Sequence, residues 1–113
     1  MLKFIILEGY TLELEMKRLT PSSLYVKTAG RLDMDSAVDY GTKIKDFVED
    51  NNITDLTIDF EDITFISSFG LKVILEIYQI MNDPGVIRIN NANEQIKNSF
   101  HMVGFEKFIK INA

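Results

Sequence analysis

From Asp59 to Met81 the chain runs D-F-E-D-I-T-F-I-S-S-F-G-L-K-V-I-L-E-I-Y-Q-I-M, and this stretch restricts the fold more than any other. Its second half repeats with helical period: Leu71, Ile74, Leu75, Tyr78 and Met81 share a face that Val73, Ile77 and Ile80 widen. Only Lys72, Glu76 and Gln79 form a polar stripe. A helix with so narrow a polar stripe must be buried over most of its circumference. Several of its residues are β-branched, so packing rather than intrinsic propensity has to hold it. Ser67 and Ser68 mark its start, two small hydroxyls between a β-type segment and the helix.

The flanking chain supplies strands to cover such a helix. Residues 3–7 are rich in β-formers, and Glu8-Gly9 suits a turn. Tyr10, Leu12, Leu14 and Met16 then alternate with polar residues, the period of a strand with one buried face. The pattern predicts an N-terminal antiparallel strand or hairpin, with a turn at Thr20-Pro21-Ser22-Ser23 and a strand over Leu24–Thr28 ending at Ala29-Gly30. Asp33 or Asp35 can cap a helix whose apolar face is Ala37, Tyr40, Gly41, Ile44, Phe47 and Val48, ending near Asp50 at Asn51-Asn52. Gly41 costs that helix about 1 kcal/mol relative to alanine, which points to close packing against the sheet.

Leu56, Ile58 and Phe60 alternate as a strand, with Ile63 and Phe65 expected in the loop before Ser67. Asn82-Asp83-Pro84-Gly85 breaks the long helix. Val86, Ile87 and Ile89 make a short strand, and Asn93 caps a last helix with Ile96, Phe100 and Val103 on one side. Gly104 stops it, and Phe105, Phe108, Ile109 and Ile111 form an apolar tail packed on the core. Alternating strands and helices in the second half predict right-handed crossovers and parallel pairing. The expected architecture is α/β: one mixed sheet packed against helices, in a single domain over residues 1–113.

With 113 residues there is room for one core and not two. The chain has no cysteine, which excludes disulfide frameworks, zinc–thiolate sites and thiol nucleophiles. A net charge of −5 without a basic patch argues against direct nucleic-acid binding. The apolar run at residues 1–7 lacks a cleavage site and is too short to span a membrane, so a cytoplasmic protein is expected. His101 is the only histidine, a weak provision for general-base catalysis, and it reads as a rim residue of the last helix. No G-x-S-x-G elbow, Gly-rich phosphate loop or metal-ligand spacing occurs, so neither an enzyme nor a cofactor or metal is expected.

The serine pair has two readings. In the plainer one, Ser67 is the N-cap of the long helix and Ser68 an exposed first-turn residue. In the other, a serine here is a phosphorylation switch: the phosphate adds about −1.5 to −2 charges, and free N–H groups and the helix dipole tolerate it.

Three motifs resemble the STAS domains of the anti-sigma factor antagonist family. Ser23-Leu24-Tyr25-Val26-Lys27-Thr28-Ala29-Gly30-Arg31-Leu32-Asp33 is similar to the family's strand and G-x-L-D turn. Asp59 to Leu75 resembles its D-L-x-x-(V/L)-x-F-(I/M)-D-S-S-G-L-x-x-(I/L)-L signature, and Met102 to Ile109 its closing segment. The match runs over about residues 11–111, leaving residues 1–9 outside as an extra strand or a self-association edge.

The resemblance implies a bacterial partner-switching regulator of transcription. In that scheme the unphosphorylated antagonist binds an anti-sigma factor that is also a serine kinase, the kinase phosphorylates it, and a phosphatase resets it. Carried over, the phosphoacceptor is Ser68, and partner contacts fall on Gly30, Asp33, Ser67, Ser68, Phe69, Gly70 and Lys72. Monomer or weak homodimer is the expected state. Two positions depart from the family pattern: Ser67 replaces its aspartate and Phe69 its small residue. Phe69 either packs inward or joins a docking surface. The departures also motivate a second expectation, a STAS interaction module that is not phosphorylated, such as a scaffold or transport-system subunit.

Overall fold

The computed structural model describes residues 2–7, 12–81 and 85–112, so the expected turn at Glu8-Gly9, Tyr10 and most of the Asn82–Gly85 breaker lie outside it. Six strands form one sheet in the order of the sequence: β1 (Leu2–Leu7), β2 (Leu12–Thr20), β3 (Ser23–Leu32), β4 (Asp55–Ile66), β5 (Val86–Asn90) and β6 (Ile109–Ile111). β1–β2 and β2–β3 are antiparallel, and β3 through β6 are parallel. Three helices form the crossovers: α1 (Met34–Asp50), α2 (Ser68–Ile80) and α3 (Glu94–Met102). The mixed sheet with an N-terminal hairpin is the arrangement that the periodicity predicts.

Strand register explains the layering. Leu14 pairs with Thr28, Met16 with Val26, Val26 with Ile58, Ile58 with Ile89 and Ile87 with Ile109. All of these side chains are buried, so one face of the sheet lies under the helices. The other face is polar, crossed by ion pairs from Lys27 to Asp62 at 3.5 Å and from Arg88 to Asp55. Tyr40, Ile44, Ile74, Ile77, Ile96 and Phe100 close the core from the helical side.

Four expectations need correction. β4 continues to Ile66, so Ile63 and Phe65 belong to the strand and not to a loop. The register shifts between the pairs Lys27–Asp59 and Ala29–Asp62, and this irregularity hides the strand's alternation. β3 likewise passes beyond Gly30, whose φ of +117° accommodates a second register shift before Arg31 pairs with Phe65. Gly41 packs against α2 and not the sheet: a Cβ there would lie 2.6 Å from Val73 Cγ1. Val103 and Phe108 are exposed, because α3 ends at Met102 and Gly104 turns the chain with a φ of +74°. The apolar tail itself becomes a 3-10 turn over Phe105–Lys107 and then β6, burying Phe105 and Ile109.

Candidate functional site

Three parallel strands end at the same edge of the sheet, which lines up three helix starts. Asp33, Ser67 and Asn93 cap them, each side chain accepting the N–H of the residue three further on. β3 and β4 are neighbours, so the starts of α1 and α2 come together. A single backbone bond joins them, from the Ser67 N–H to the Leu32 carbonyl at 2.8 Å. Gly70 allows the approach: a Cβ there would sit 2.7 Å from Ile66 Cγ1 and 3.2 Å from the Leu32 carbonyl oxygen. Gly70 is therefore a packing residue beneath the surface.

Ser67 accepts the Gly70 N–H at 3.2 Å and is the N-cap. Ser68 is the first helical residue and is exposed, and among the described residues its hydroxyl enters no side-chain hydrogen bond. Phe69 points outward, 41% exposed, which decides its two alternatives in favour of the surface. Lys72 follows one turn on and is also exposed. Asp33 caps α1 in a reciprocal box with Ser36: its carboxylate accepts the Ser36 N–H at 3.0 Å, and Ser36 Oγ accepts the Asp33 N–H at 3.1 Å. The bonds from Ser36 hold the Asp33 carboxyl below its ordinary value. Gly30 lies behind this pair, its carbonyl accepting the Thr64 hydroxyl at 3.2 Å.

Sequence reasoning missed three contributors to this surface. The Arg31 guanidinium lies 4.5 Å from the centroid of the Phe65 ring, a cation–π contact set by the strand register. Met34 and Val38 are each 57% exposed at the start of α1. Their signal was available: the two are four residues apart and fall off the buried Ala37–Tyr40–Gly41–Ile44 face. Together with Phe69 they place three large apolar side chains on paired helix starts, more than a solvated rim needs.

Other ionisable groups lie elsewhere. His101 is in the last turn of α3, its Nδ1 2.8 Å from Glu106, at the opposite end of the helical layer from Ser68. Asp59 is buried under the polar face, which opposes its ionisation. The Glu61 N–H, the Tyr25 hydroxyl at 2.8 Å and the Asn91 amide at 3.2 Å outweigh that cost and hold its carboxyl low. Burial, and then Asp59 itself, push the Tyr25 hydroxyl up to about 12. Among the described residues no cluster of His, Cys, Asp or Glu could hold a metal, and no helix is long and apolar enough to cross a membrane.

Paired helix starts on a mixed sheet, reached through crossovers in strict sequence order, are the frame on which the comparisons with known proteins bear. Residues 15–113 match the STAS domain, and the chain belongs to that family. β1 precedes the matched range. An anti-sigma factor antagonist from Mycobacterium paratuberculosis is similar in structure, with 19% identity, a TM-score of 0.80, and 94% of this chain and 89% of that one covered. SpoIIAA in its unphosphorylated form is 16% identical with a TM-score of 0.72, over 88% of this chain and 87% of that one. The phosphorylated form of SpoIIAA, a Bacillus cell fate determinant, is 17% identical with a TM-score of 0.70, over 88% and 91%. At these identities the likeness is one of fold.

Proposed function

We propose that the protein is an antagonist of an anti-sigma factor, acting in a partner-switching circuit set by phosphorylation of Ser68. The observation that carries this reading is the exposed Ser68 hydroxyl at the first position of α2, beside the capped start of α1. A kinase reaches it without unfolding anything. The phosphate brings about −1.5 to −2 charges to a helix end that tolerates an anion. The fold survives, while a partner seated on Met34, Val38 and Phe69 meets a charge where it meets an apolar surface in the unmodified chain. A fold shared with SpoIIAA, described in both unphosphorylated and phosphorylated forms, supports the reading.

In this scheme the unmodified chain binds an anti-sigma factor with serine kinase activity through Gly30, Asp33, Ser67, Phe69 and Lys72, and the sigma factor is released. A phosphatase restores the serine. The protein works in the bacterial cytoplasm by binding and not by catalysis, as a monomer or weak homodimer, without contacting nucleic acid or membrane. Incubation with the cognate kinase and ATP adds one phosphate by intact mass, and Ser68→Ala takes up none. No phosphate, or phosphate on another residue, contradicts the proposal.

Ser67 in the place of the family's aspartate, and the outward Phe69, favour one alternative: a STAS interaction module that is not phosphorylated, such as a scaffold or transport-system subunit. For such a module Ser68→Asp leaves partner affinity unchanged in a calorimetric titration. A large loss of affinity rules it out.

A further inference from the structure

We infer that Lys72 is the built-in counter-charge for a phosphate on Ser68, holding the modified side chain back along the first turn of α2. The inference rests on the Ser68 reading above and concerns how the modified state is held. Ser68 and Lys72 are four residues apart on α2, and both are exposed. Residues at that spacing lie one above the other on a helix. Helical side chains lean toward the N-terminus, so the ammonium reaches back over the turn that begins at Ser68.

On α2 itself the one competing acid is engaged elsewhere, while the exposed Asp35 and Asp39 of α1 enter no ion pair among the described residues. Among the described residues Lys72 enters no ion pair, and Glu76, one turn further on, faces Lys45 of α1 at 3.7 Å. The first turn of α2 contains no acid, and its cap is the neutral Ser67. Arg31 across the junction is stacked on Phe65. A dianion on Ser68 therefore has Lys72 as its neighbouring cation on the same helix, with no carboxylate in that turn to oppose it. The replacement of an acid by Ser67 acquires a physical sense in this setting. The start of α2 carries no carboxylate, in contrast to Asp33 and Asp35 at the start of α1, so its negative charge comes with phosphorylation, and Lys72 then fixes where it sits.

The test uses the full chain with phosphoserine installed genetically at position 68, so no kinase is required. A 31P NMR titration from about pH 4 to 8 follows the second phosphate ionisation, which lies near 6 in the absence of partners. We expect Lys72→Met to raise that pKa by roughly 0.15 to 0.4 units, the scale of an exposed pair at this spacing, because the ionisation adds one charge. Lys72→Arg should keep the value of the parent chain. Lys43→Met, which removes an exposed cation from α1, should leave it unchanged, and 1 M salt should shrink the Lys72 effect. An unchanged pKa in Lys72→Met, an equal rise in Lys43→Met, or a phosphoserine chain that no longer folds with Lys72 in place overturns the inference. A cognate kinase that leaves Ser68 unmodified overturns the functional reading instead and does not touch this result.

Discussion

Asp33 and Ser67 cap adjacent helices with the same bond, each accepting the N–H of the residue three further on, at 3.0 Å from Ser36 and 3.2 Å from Gly70. The two helix starts differ in everything else. At α1 the cap is a carboxylate, Asp35 adds a second acid, and Ser36 completes the box while donating its hydroxyl to the Arg31 carbonyl at 2.8 Å. At α2 the cap is neutral, the first turn holds no acid, and Ser68 stands free at the surface. Capping geometry alone therefore does not make a switch. A helix end that already carries its anion has nothing further to gain from one, whereas a neutral end keeps its dipole available for a charge added later. In the proposed scheme the two ends, joined by a hydrogen bond, have separate tasks: α1 is a fixed wall, and α2 takes the variable charge.

The largest way to break this comparison is to part the two ends. Gly70→Val forces a branched side chain against Ile66 and Leu32, where even a Cβ has 2.7 Å and 3.2 Å of clearance. Overpacking of this kind costs about 2–3 kcal/mol, read as a lower urea midpoint, and it should weaken partner binding along with stability. A smaller effect comes from Ser67→Ala, which deletes the α2 cap and should cost about 1 kcal/mol, while Ser67→Asp keeps the fold and gives α2 the charge of α1.

The smallest effect separates the ends by pH. Asp33 ionises more readily folded than unfolded, so its contribution is complete above the ordinary value of 3.8 and is lost as pH falls through the depressed folded value. Asp33→Asn keeps a capping side chain and should flatten the acid limb of stability against pH. The remaining slope belongs in part to Asp59, whose folded carboxyl is also held low. Ser67→Asp should steepen the same limb. A limb identical in all three chains would show that the two ends do not differ in charge as described.

Much of the scaffold was legible in the sequence, since the strands that alternate and the helices with a clean apolar face follow from period alone. Asn93, Ser67 and the alternative at Asp33 were readable because capping depends on local residues. The second half of β4 was not, because Ile58, Asp59 and Phe60 are buried in succession where the register shifts. β6 is three residues long and cannot declare a period. Gly41 announced a close neighbour without naming it, since a glycine does not reveal whether a helix or a sheet approaches. At the site, Ser67 and Ser68 stood out by position. The Arg31–Phe65 stack needed the pairing of β3 with β4, which no local pattern encodes.

The central claim is that charge at the start of α2 decides whether a partner binds. Calorimetric titration of the anti-sigma factor kinase into the unmodified chain and into the chain phosphorylated on Ser68 tests it most directly. The account predicts an affinity at least about tenfold weaker for the phosphorylated chain, a difference of about 1.4 kcal/mol. Equal affinities for the two forms would contradict it.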